Sequence, residues 1–249
     1  MRDKDTITVY WAPASFTYGL ESWSMLYREP DLLFSEISRP GSLGDMKRCP
    51  AAKDFMKNTF VFRSNIADSF KLPPSEWLDE NAFLREESVP LPVDSKISIL
   101  KRRASSIPGH INVEYNLKWI MFSDEPLEAN FTPPYFPSVS PVKDSYLAIG
   151  EYDIGQWFRP INLDYHIPVT ATDFSIKEND PLFFVKFNTT KKIVFKQFKY
   201  TQELNEMSKE FQFSPSMYGL NKTLRSRYLV AKRSKMPEMV LAEIRKNLI

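Results

Sequence analysis

Between Ile111 and Trp119 apolar and polar side chains alternate without a miss. Ile111, Val113, Tyr115, Leu117 and Trp119 share one side, and Asn112, Glu114, Asn116 and Lys118 share the other. Only extended backbone repeats every two residues, so this segment predicts a half-buried antiparallel strand. Ile120-Met121-Phe122 continues it into a wholly apolar end. A strand must pair, and partners are predicted at 7–11, 59–64, 146–152, 161–167, 174–176, 182–187 and 192–198. The last two flank Asn188-Thr189-Thr190-Lys191, which reads as a compact hairpin loop.

Parallel strands need crossover helices, and residues 100–200 leave no room for them. With about eight to ten strands and short links, the expected fold is mainly β (α+β overall). Its form is an antiparallel β-sandwich or a jelly-roll-like barrel with a C-terminal helical extension. Thr132-Pro133-Pro134-Tyr135-Phe136-Pro137 lacks three ladder donors and reads as an edge or loop. Helices are predicted at 21–28, near 75–84, and after Cys49, where Pro50 takes the first helical position. Residues 38–45 form a turn-rich connection.

Beyond Tyr200 the period changes. Thr201 can cap a helix carrying Leu204, Met207 and Phe211 at helical spacing. A second helix is expected around 220–232, and a third after Pro237, with Met239, Val240, Ile244 and Leu248 on one side. Residues 1–200 are thus read as one β-rich body, and 201–249 as a basic helical extension packed on it. The run Glu178-Asn179-Asp180-Pro181-Leu182-Phe183-Phe184-Val185 resembles a turn that leads into buried strands of jelly rolls. Asn179 stands where that turn has glycine, and can adopt the left-handed conformation.

Several chemistries are excluded. One cysteine permits no intrachain disulfide, and two histidines permit no three-imidazole metal site. Seven glycines leave little for phosphate-cradling loops, and no GxGxxG, Walker loop, GxSxG, HExxH or kinase set occurs. No motif calls for a cofactor or a metal. No apolar run approaches the ~20 residues that cross a bilayer. Met1-Arg2-Asp3-Lys4-Asp5 leads directly into Ile7-Thr8-Val9-Tyr10, so a cytoplasmic protein without a membrane partner is expected.

The net charge of +2 conceals a split. Residues 191–249 hold 13 Lys/Arg against 5 Asp/Glu, leaving 20 against 26 for residues 1–190. Arg225, Arg227, Lys232, Arg233 and Lys235, with Tyr228 among them, could contact nucleic-acid phosphates or an acidic partner. Alternatively the basic extension neutralises its own acidic body.

Three further places could carry chemistry. Asp164 and His166 lie two apart on a strand and so share a face, where with His110 they could hold a metal or form an acid–base pair. Against this, the facial-triad order runs His-x-Asp/Glu rather than Asp-x-His, and Asn162 on the same face fits a solvated surface. Cys49 sits at a predicted helix start beside Lys47 and Arg48, where the helix dipole favours a thiolate; the alternative is an inert packed cysteine. Trp157-Phe158-Arg159-Pro160 could stack on a ring or clamp a carboxylate through Arg159, or be a corner in which the rings pack and the guanidinium covers them.

The chain resembles a family of marine bacteriophage and ocean environmental proteins of unknown function. The likeness rests on Val9-Tyr10-Trp11-Ala12-Pro13, Ser22-Trp23-Ser24-Met25-Leu26-Tyr27, Cys49-Pro50-Ala51 with Lys57-Asn58-Thr59-Phe60, and Asp153-Ile154-Gly155-Gln156-Trp157-Phe158-Arg159-Pro160. It implies expression inside an infected bacterium and transfers no catalytic residue. The expected function is a non-enzymatic binding protein contacting a host or phage protein, or less readily nucleic acid. The alternative is a metal-dependent enzyme on a cupin-like scaffold using Asp164, His166 and His110.

Overall fold

A computed structural model describes residues 5–14, 27–37, 48–72, 84–85, 100–115, 118–135, 141–148, 150–212 and 224–249. In chain order its strands are β1 (Thr6–Pro13), β2 (Asp31–Leu32), β3 (Thr59–Arg63), β4 (Asp68–Lys71), β5 (Leu84–Arg85), β6 (Leu100–Ala104), β7 (His110–Tyr115) and β8 (Trp119–Ser123). Then come β9 (Glu128–Thr132), β10 (Tyr146–Leu147), β11 (Gly150–Asp153), β12 (Leu163–Pro168), β13 (Asp173–Ile176), β14 (Pro181–Phe187) and β15 (Lys192–Gln197). The helices are α1 (Leu33–Ile37), α2 (Pro50–Met56), α3 (Gln202–Gln212), α4 (Leu224–Arg233) and α5 (Met236–Lys246). The fold is mainly β with a helical C-terminal part.

Among the described residues four sheets form, ordered β15-β1-β8, β10-β12-β7-β6, β11-β9-β14-β3-β2 and β13-β4-β5. Every pairing among the described residues is antiparallel except that of β1 and β15, which run parallel from Thr6↔Lys192 to Trp11↔Gln197. The paired residues lie about three quarters of the chain apart, Thr6 facing Lys192, so no local crossover helix is required.

Three sequence expectations are corrected. The strand expected from Ile111 through Phe122 divides into β7, paired with β12 and β6, and β8, paired with β1. Lys118 lies just before β8: its carbonyl accepts from the Ala14 N–H (2.8 Å), and its N–H donates to the Tyr27 hydroxyl (3.1 Å). Alternation alone does not reveal that the chain changes sheet at this point. The expected strand 146–152 likewise divides, β10 joining β12 and β11 joining β9.

The expected hairpin across 188–191 is an arch between two sheets, since β14 pairs β3 and β9 while β15 pairs β1. Asn58, held at φ 54°, donates through Nδ2 to the carbonyls of Thr189 (2.7 Å) and Lys191 (2.9 Å). The Lys192 N–H goes to Asp5. The arch is thereby tied to the turn before β3 and the start of β1 rather than closed on itself. The helices expected at 21–28 and near 75–84 and the turn at 38–45 fall almost wholly outside the described residues.

Burial follows the two faces of each strand. From β1, Ile7, Val9 and Trp11 join the main core while Tyr10 and Ala12 face a second one; from β8, Trp119 and Met121 go inward while Ile120 and Phe122 go outward. That second core is completed by Phe158, Phe198, Leu204, Phe211, Val240 and Ile244, so helices α3 and α5 cover the outer face of the β15-β1-β8 sheet. Being buried on both faces is why β8 reads as a continuous apolar run. On the other side, Phe184 leaves the main core to meet Leu33, Met56 and Val61, beneath α1 and α2.

Aromatic contacts join the sheets. Trp119 of β8 meets Phe62 of β3 edge-on at 5.9 Å and Phe183 of β14 at 5.5 Å, while Tyr165 of β12 meets Phe174 of β13 at 5.5 Å. Such pairs contribute ~0.5–1.5 kcal/mol each beyond the area they bury. Asn179 takes the left-handed conformation expected of it (φ 68°) and starts the turn into β14. Glu114 was expected on a solvated face. It is 1% exposed, forming an ion pair with Lys118.

Candidate functional site

The motif Asp153–Pro160 builds one corner of a cavity. Asp153 Oδ1 accepts the N–H of Leu127 (2.8 Å) and of Gly155 (2.9 Å), and its carbonyl accepts from Gln156 and Trp157. One carboxylate thus ties the start of β9 to the end of β11 and closes the turn that follows. Gly155 packs against the Glu125 and Pro126 backbone. The corner then runs back onto β8, with Pro160 bridging Ile120 and the Ile161 N–H donating to the Trp119 carbonyl (2.8 Å).

Within this corner the rings and the cation separate. Trp157 and Phe158 are buried against the helices: Trp157 lies 5.8 Å from Phe211 and 5.2 Å from Tyr228, and Phe158 lies 5.6 Å from Phe122. Arg159 instead lines a cavity of about 560 Å³. Glu128 and Phe131 of β9, Tyr152 of β11, Asp164 of β12 and Tyr228 of α4 share that wall, as does Trp157. This volume lies within the ~300–1,000 Å³ range of small-molecule sites.

The sequence-predicted Trp157, Arg159 and Asp164 therefore converge on one space. His166 and His110 do not line it. His166 Nδ1 lies 2.8 Å from Ser105 Oγ, and His110 Nδ1 lies 3.0 Å from the Pro108 carbonyl, its ring 5.6 Å from Tyr146. His166 is the register partner of Asn112, and His110 that of Pro168, at the far end of the same strand pair. Among the described residues no group of three or more His, Cys, Asp or Glu is placed to hold a metal ion. Cys49 is exposed at the start of α2. Arg233 and Lys235 are exposed at the end of α4 and before α5, while the Arg225, Arg227 and Lys232 backbones lie in α4.

The polar groups of the wall differ in what they already bind. Asn130 Nδ2 donates to Glu151 (3.0 Å), Asn188 Nδ2 donates to Glu128 (3.4 Å), and Asp153 holds its two backbone donors. No ion pair or hydrogen bond joins the Arg159 guanidinium to any described residue. The hydroxyl of Tyr152 is buried and also has no hydrogen-bond partner among them. Burial pushes the Tyr152 phenol well above its usual range, the charge of Arg159 opposing that shift. The Tyr152 ring stacks on Phe131 at 5.0 Å, 14° from parallel.

Tyr152, Glu128 and Glu151 were not legible as site residues, and Tyr228 was legible only as a ring among charges. The β9–β11 register sets Glu151 opposite Asn130 and Tyr152 opposite Ala129, and β9 alternates over only five residues, with Ala129 and Phe131 as its two apolar positions. Among the described residues no helix is long and apolar enough to cross a membrane. No protein-family model matches the chain, and comparison with curated proteins and with solved structures likewise returns no match.

Proposed function

We propose that this chain is a non-enzymatic binding protein whose ligand occupies the cavity walled by Trp157, Arg159, Asp164, Tyr152 and Tyr228. The observation that carries this reading is the half-buried Arg159, whose guanidinium makes no ion pair or hydrogen bond with a described residue and opens onto a space of ligand size. A guanidinium offers five N–H donors in a planar fork that matches a carboxylate, and here no described protein group takes them up beside the aromatic wall. The resemblance to marine phage proteins adds the proposal that the chain acts inside an infected bacterium.

A thermal-shift screen of small carboxylates against the full chain and its Arg159→Ala variant tests the reading. Stabilisation by at least one compound is expected with the parent and not with the variant, because a ligand that binds only the folded state raises the melting temperature. Equal shifts in both proteins would remove Arg159, and the cavity with it, from the account.

A further inference from the structure

Arg159 is outnumbered in its own cavity. Four carboxylates line the same wall: Glu128, Glu151, Asp153 and Asp164. A simple anion drawn to Arg159 meets their negative field, and a simple cation drawn to them leaves the guanidinium unpaired. We infer that the ligand is a compact zwitterion of the amino-acid type, its carboxylate held by Arg159 and its protonated nitrogen by Asp164 and the neighbouring carboxylates. The inference rests on the reading of this cavity as the binding site and adds the chemical class of what binds there.

Two further observations bear on it. Tyr228 of α4 shares this wall with the carboxylates, its phenol raised first by burial and then by the charge of Asp153, with a hydrogen bond to the Asp153 backbone opposing and the charge of Glu128 adding to the rise. The aromatic wall suits both halves of such a ligand. Phe131, Tyr152, Trp157 and Tyr228 offer ring surface to an apolar body and ring faces to a cationic nitrogen. The Tyr152 hydroxyl, without a hydrogen-bond partner among the described residues, offers a donor to the carboxylate beside Arg159.

Calorimetric titration of the full chain with three probes separates the contributions. Phenylalanine carries both charges, N-acetylphenylalanine only the negative one, and phenylalaninamide only the positive one. Phenylalanine is expected to bind about tenfold more tightly than either, the equivalent of one charge-assisted hydrogen bond. Asp164→Asn should weaken phenylalanine and phenylalaninamide while sparing N-acetylphenylalanine, and Arg159→Ala should do the reverse for the two single-charge probes. Glu128→Gln, at an exposed position, repeats the acidic arm should Asp164→Asn lower the melting temperature.

If N-acetylphenylalanine matches phenylalanine, the zwitterion inference falls while the Arg159 site stands. If phenylalaninamide matches it, the inference falls and Arg159 has no part in recognition. If none of the three binds, the cavity reading falls together with it.

Discussion

Gly155 lies so close to the backbone of Glu125 that a Cβ on it would stand 2.8 Å from the Glu125 carbonyl carbon and 2.9 Å from Pro126 Cα. The atoms in the way belong to the main chain, so no side chain can swing aside to make room. Gly155→Ala is therefore expected to cost about 1–3 kcal/mol, the usual range for overpacking a tight site. It should also loosen the corner that places Arg159. Urea unfolding of the variant measures the first effect. An unchanged midpoint would show that the Asp153–Pro160 corner yields easily and is not the rigid support described above.

Arg159→Ala should leave stability within about 0.5 kcal/mol of the parent, because its guanidinium makes no hydrogen bond or ion pair with a described residue. A loss of several degrees in melting temperature would mean that the side chain supports the fold rather than a ligand.

What could be read in advance follows from what is local. The apolar run at Ile120–Phe122, the left-handed Asn179 and the three C-terminal helices each depend on periodicity or on one residue's backbone preference. The sheet change between Tyr115 and Trp119, the arch at 188–191 and the parallel β1–β15 pair depend on partners more than a hundred residues distant or on a single Asn58 side chain. The site divides in the same way. Arg159 stood out because it is a lone cation among rings, and Asp164 because it shares a strand face with His166. The convergence of Arg159 with Asp164, and the exclusion of His166, follow from how β12 and β11 are placed, which no spacing encodes.

The helical region is expected to be inseparable from the body. Phe158 lies 6.4 Å from Phe211 and 6.3 Å from Tyr200, and it is 0% exposed. The end of α5 is also latched to β15, with the Lys199 N–H donating to the Asn247 carbonyl (2.8 Å) and the Ile249 N–H to Gln197 (3.1 Å). Phe158→Ala should cost about 3–5 kcal/mol, as large aromatic truncations in cores do. Truncation after Tyr200 should give an insoluble product, since Tyr10, Ile120, Phe122 and Phe198 would lose their cover. A soluble fragment 1–200 with sharp thermal unfolding would contradict the two-sided burial of β1 and β8.

Alkaline pH should unfold the protein through its buried phenols. Burial raises Tyr200 from 10.0 to about 12, with the charge of Glu206 adding to the rise and a hydrogen bond with Ser208 opposing it. Burial alone carries Tyr165 higher still. A raised folded-state pKa means that, above the unfolded value near 10, the folded chain retains a proton the unfolded chain has lost. Stability from these groups is therefore complete below pH 10 and declines as pH rises toward about 12. Each such tyrosine contributes a slope of about 1.4 kcal/mol per pH unit in that window. Urea midpoints measured on either side of pH 10 should fall on the alkaline side, and Tyr200→Phe should make the fall shallower. Absorbance at roughly 295 nm follows phenolate formation, and ionisation of Tyr165 and Tyr200 should coincide with unfolding rather than precede it. If every tyrosine titrates near pH 10 while the fold persists, the burial assigned to these two rings is wrong.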